Sequence, residues 1–147
     1  MSTWEPVLAA VRLALGPDRA EGRRRLLACW HATSPAGHAQ RCVLAHYLAD
    51  LEPELTDEVR WDEQALAAYA AVSDPDLAPI GIASAAGFAP SLHLNLGDGY
   101  LRQGRVSDAR SQLEAGSAAA ALLADDGYGR MIRGGLQGLA QRLADHQ

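Results

Sequence analysis

The chain has 147 residues, 48% of them hydrophobic, with a formal net charge of −5, which is enough to build one ordinary domain. Twenty-nine residues are alanine, all thirteen basic side chains are arginine, and there is no lysine. An acidic chain without a broad basic stripe lacks the charge that phosphate neutralisation requires, which argues against a nucleic-acid partner. The apolar run from Ala118 to Ala124 falls far short of the ~20 residues of a membrane span, and no membrane association is expected.

Alanine is the strongest helix former, and six Val, three Ile and three Thr are too few β-branched residues for a sheet, so the expected class is all-α. The start Met1 to Glu5 has neither a basic opening nor an apolar signal core, which reads as a cytoplasmic chain. Cys29 and Cys42 do not make a disulfide framework.

Glycine and proline punctuate the elements. The first helix is expected from Thr3 to Leu15, with Val7, Leu8, Val11 and Leu15 inward, ended by Gly16-Pro17. A second runs from Asp18 to Thr33 with Leu26, Leu27 and Trp30 inward. Ser34-Pro35-Ala36 has the pattern of a cap followed by first-turn proline, predicting a third helix to Leu51. Thr56 or Asp57 caps a fourth, Glu58 to Val72, with Trp61, Ala65, Leu66 and Tyr69 inward. Residues 73–89 are irregular, with room for a short helix from Ile80 to Gly87. Helices then follow from Pro90 to Gln103, from Ser107, as cap, to Leu123, and from Gly129 or Arg130 to Asp145, making six to seven in all.

The pair from Pro90 to Leu123 resembles a tetratricopeptide repeat. With Pro90 first, the residues that carry the likeness are Leu96-Gly97, Tyr100, Gly104 at the turn, Ala109 and Leu113, with Asn95 and Gln103 also matching. Gly97 and Ala109 are the expected close-approach points of the two helices, Tyr100 fills the groove between them, and Gly104 ends the first. The chain departs from the pattern at His93, where tryptophan is usual, at Gly116 in place of alanine, and in lacking the terminal proline. A degenerate copy at 36–72 places Ala65, Tyr69 and Val72 at the spacing of Ala109, Leu113 and Gly116, an offset of 44 residues. Longer units of this kind occur in tetratricopeptide arrays of bacterial regulators. Residues 129–145 would be a capping helix, with Arg130, Arg133, Gln137, Gln141 and Arg142 as its polar outer face. The resemblance implies stacked antiparallel helix pairs in a superhelical array, a single domain over residues 1–147.

It also implies a protein- or peptide-binding module without chemistry of its own. The first helix of each repeat lines the concave groove in that family, and the matching positions are Ser91, Leu94, Asn95, Asp98, Leu101 and Arg102. Asn95 matches an asparagine that holds a peptide backbone or terminal carboxylate, and Arg102 could add charge-assisted bonds. The lysines of that clamp are absent. Two other readings stay open. Trp4, Val7, Leu8 and Val11 could pair with a second copy in a homodimer. Cys29, His31, His38, Cys42 and His46 could gather around a metal if the second and third helices form a hairpin, or be ordinary core and surface residues; no cofactor is expected. His93 with Asp98 or Asp125 could form an acid and base pair, but no hydrolase or nucleotide-binding motif accompanies them, so no enzyme is expected. Arg23, Arg24 and Arg25 read as a solvated helix face.

Overall fold

The computed structural model of the chain describes residues 4–82 and 84–146. Among them there is no strand, and the all-α expectation holds. Eight α-helices are present among the described residues: α1 (Glu5–Leu15), α2 (Arg19–Ala32), α3 (His38–Ala49), α4 (Leu55–Tyr69), the one-turn α5 (Asp74–Leu77), α6 (Ala89–Arg102), α7 (Val106–Ala120) and α8 (Gly127–Ala144). Packing divides the chain into two compact units, Met1–Ala83 and Ser84–Gln147.

In the first unit α1 pairs with α2 and α3 with α4, while α3 also packs on α2 and α1. The helix α3 is the centre: Ala39, Cys42, Val43, Leu44, Ala45, Leu48 and Ala49 are all buried, more than one stripe, as a helix covered on several sides requires. The α1–α2 crossing depends on Gly22, where a β-carbon would lie 2.4 Å from the Ala14 nitrogen. In the second unit α6 pairs with α7, and α8 packs on both. Gly97 and Gly116 make these contacts close: a β-carbon on Gly97 would lie 2.8 Å from Leu139 Cδ2 and 3.3 Å from Gln112 Cβ, and one on Gly116 3.1 Å from His93 Cβ. Ala109 is fully buried.

The ends of the helices follow from local chemistry. The Asp18 carboxylate caps α2 by accepting from the Glu21 N–H at 3.2 Å, and Asp126 caps α8 through the Gly129 N–H at 2.7 Å. Gly104, at φ 78°, terminates α6 in the left-handed conformation, with its N–H on the Leu101 carbonyl at 2.9 Å and that of Arg105 on Tyr100 at 2.8 Å, as glycine at this position allows. At the end of α7 the Ala121, Leu122 and Leu123 N–H groups tighten the last turn onto the carbonyls of Ala118, Ala119 and Ala120, and a side chain of the next helix joins them: the Arg133 guanidinium donates to the carbonyls of Ala120, Leu123 and Ala124.

Several expectations are corrected. The third helix begins at His38, because Ser34 to Gly37 closes a turn, the Gly37 N–H donating to the Ser34 carbonyl at 2.9 Å. The fourth begins at Leu55 and buries Val59, Asp62 and Ala65, leaving Trp61, Leu66 and Tyr69 only half-buried. In α1 the buried set is Val7, Ala10, Val11 and Ala14, whereas Leu15 is 70% exposed. In α2 Gly22 and Leu26 are buried, and Leu27 and Trp30 are half-buried. The expected helix at residues 80–87 is replaced by α5 and short 3-10 turns at Ala78–Ile80 and Ala85–Gly87. Its residue Ala83 lies outside the described residues, as does Thr3, the expected start of α1. Ser107 lies inside α7, which starts at Val106, and α8 starts at Gly127, two residues early. The starts of α3 and α4 precede those of α6 and α7 by 51 residues in both cases, against the 44 of the matched side chains, because Ala65 and Ala109 stand about two turns apart in position within their own helices.

Candidate functional site

The helix α6 carries the six positions matched to a binding groove, and the fold treats them differently. Ser91 and Leu101 are buried, the Ser91 hydroxyl donating to the Phe88 carbonyl at 3.0 Å. Leu94 packs on the apolar cluster of Ala120, Ile132 and Leu136. It lies over Gly135, whose added β-carbon would meet Leu94 Cδ2 at 2.5 Å. Asn95 is half-buried, Arg102 is exposed, and Asp98 holds two cations. Its Oδ2 accepts from Arg102 Nε at 2.9 Å and its Oδ1 from Arg142 Nη1 at 2.7 Å. Two guanidiniums on one carboxylate leave this patch with a net positive charge. Arg142 belongs to α8, 44 residues from Asp98. The sequence offers it only as one of several polar residues on the outer face of the last helix.

The acid and base pairs weighed around His93 do not form: its Nδ1 lies 2.7 Å from Gln112 Oε1, and Asp125 stands beside Arg130 at 3.4 Å. In the first unit, the cysteines and histidines are also dispersed. Cys42 is fully buried and Cys29 half-buried, both as free thiols; His31 and His38 are exposed. The His46 ring stands edge-on to Tyr47, centroids 5.1 Å apart. Among the described residues no three His, Cys, Asp or Glu side chains are placed to hold a metal ion. Burial pushes the Cys42 thiol up to about 12 and the His46 imidazole down to about 4, the direction expected when the charged form is disfavoured.

Of the face offered for self-pairing, Trp4, Val7 and Val11 are buried within the chain and Leu8 is half-buried. The arginine triplet is paired as well. Arg24 Nε and Arg25 Nε reach the Glu21 carboxylate at 2.8 and 2.9 Å, and Arg23 Nη2 reaches Glu52 at 2.9 Å. Glu52 Oε1 also accepts from Trp61 Nε1 at 3.2 Å. Trp61 meets Trp30 edge-on at 5.0 Å, and the Arg41 guanidinium lies over Trp30 at 4.9 Å.

A shallow cleft of about 330 Å³ between α7 and α8 is lined by Leu113, Ala120, Leu136, Gln137 and Ala140. A cavity of about 300 Å³ in the first unit is lined by Ala14, Leu15, Arg19, Tyr47, Asp50 and Leu51. No single helix among the described residues is long and apolar enough to cross a membrane. Comparison with protein-family models, with curated proteins and with solved structures finds no match.

Proposed function

We propose that this chain is a tetratricopeptide-like helical-repeat module that binds a protein or peptide and performs no chemistry of its own. The observation that carries this reading is the polar face built by α6 and α8, where Asp98 joins Arg102 and Arg142 within one turn of Asn95. Charge-assisted donors held in place by a neighbouring helix suit recognition of carbonyl and carboxylate groups. The packing order supports it as well. In each unit a helix pair is followed by a helix that lies on both members, α3 on α1 and α2, α8 on α6 and α7, the neighbour relation of stacked repeats.

The test is affinity capture from the source cell with the wild-type chain, an Asn95→Ala/Arg102→Ala double variant and an Arg60→Ala control. The expected result is a set of proteins held by wild type and control and lost from the double variant, whose circular dichroism is unchanged. Equal capture by all three would overturn the assignment of this face.

A further inference from the structure

The cavity of the first unit is formed where helices stop. Its wall includes Ala14 and Leu15 from the last turn of α1, Gly16 at that helix's end, Arg19 at the start of α2, and Tyr47, Asp50 and Leu51 around the end of α3. A helix C-terminus carries the equivalent of up to roughly half a negative charge, and two of them border this space, that of α3 partly offset by the Arg19 guanidinium on the Asp50 main-chain oxygen. Asp50, the C-cap of α3, adds a full carboxylate at the end of a helix where the dipole opposes an anion. Burial and then the neighbouring charge of Glu58 hold the Asp50 carboxyl above its ordinary value, with Arg19 acting in the opposite sense. Arg19 Nη2 donates to the Asp50 main-chain oxygen at 3.0 Å. Leu15 stands in the lining of this space at 70% exposure, although its helix position matches the apolar spacing of Val7 and Val11.

We propose that this cavity binds a primary ammonium group carried on a short apolar stem. The ammonium lies against the Asp50 carboxylate in the negative field of the two helix ends, and the stem lies against Leu15, Ala14 and Leu51. An ammonium has three donors that can diverge toward acceptors on different walls, whereas a guanidinium presents a planar fork suited to one two-oxygen acceptor. A second copy of the chain cannot supply the group from a side chain, because the sequence contains no lysine. The chemistry is shared by free small amines and by the lysine side chain of another protein.

The test is a titration of the full ¹⁵N-labelled chain at pH 7 and fixed ionic strength with n-butylamine hydrochloride, with sodium n-butyrate and sodium chloride as controls. Saturable shifts are expected at the amides of Gly16, Tyr47, Asp50 and Leu51 with the amine alone. The Asp50→Asn variant should bind at least about tenfold more weakly, as loss of a charged acceptor implies. Leu15→Ala should weaken n-butylamine severalfold and leave methylamine unchanged, which tests the stem even if the Asp50 variant folds poorly. Shifts that do not saturate, or equal binding by a folded Asp50→Asn chain, would overturn the proposal. A parallel titration with Nα-acetyl-lysine N-methylamide separates the sources: binding as tight as the free amine identifies a lysine side chain as ligand, and exclusion of this probe identifies a small amine.

Discussion

Gly22 meets Ala14 so closely that a β-carbon on the glycine would lie 2.5 Å from the alanine Cα. The clash is with backbone, which cannot rotate away, so Gly22→Ala must push α2 off α1. Alanine is the better helix former by about 1 kcal/mol, but overpacking at a helix crossing outweighs that gain. The expected net loss is about 3 kcal/mol, read as a lower urea midpoint, and a variant as stable as wild type would refute the close crossing.

The glycines of α8 give the opposite result. Gly134 and Gly138 have nothing within 4 Å of an added β-carbon, and both are exposed. Replacing each with alanine should raise stability by ~0.5–1 kcal/mol through helix propensity and a less flexible unfolded chain. Thermal unfolding of the single and double variants measures this, with the increments adding.

The two thiols should differ in reactivity. Burial raises the pKa of both, that of Cys42 to about 12, and Cys42 is fully enclosed, so almost none of it is thiolate at pH 8. A disulfide reagent at that pH should titrate Cys29 alone in the native chain and both thiols in denaturant. Cys29→Ser should abolish the native reaction.

His46 couples stability to acid. Its folded value of about 4 lies below the ordinary value of 6.5, so the unfolded chain binds the proton more tightly. The stabilisation is therefore fully present above about pH 6.5 and is lost as the pH falls through about 4. The depression corresponds to at most ~3 kcal/mol over that window. Urea unfolding at pH 7 and pH 4.5 should show a smaller pH-dependent loss in His46→Gln than in wild type, and equal losses would remove His46 as the cause.

The number and order of the long helices were readable because their boundaries are set by local residues. Gly16-Pro17 and Gly104 end α1 and α6 whatever surrounds them. The faces were harder to read. On α4 the expected stripe was Trp61, Ala65, Leu66 and Tyr69, yet of these Ala65 alone is buried, beside Val59 and Asp62, because close packing against α3 favours small side chains and places Trp61 where it can reach Glu52. Ser34-Pro35 has the composition of a helix start and forms a turn instead. In the candidate site, Asn95, Asp98 and Arg102 could be named from spacing on one helix. Arg142 could not, since its bond to Asp98 depends on how α8 lies across α6, which no local pattern encodes.

The termination of α7 by Arg133 has a kinetic consequence. The Ala120 carbonyl already accepts from the Leu123 N–H at 3.1 Å, but those of Leu123 and Ala124, on the segment leaving α7, take their donor from a residue of the following helix, so that exit segment is fully held only once α8 has docked. Completion of one helix and arrival of the next are then a single cooperative event, and amides near residue 120 should acquire hydrogen-exchange protection in step with those of α8 rather than with the first turns of their own helix.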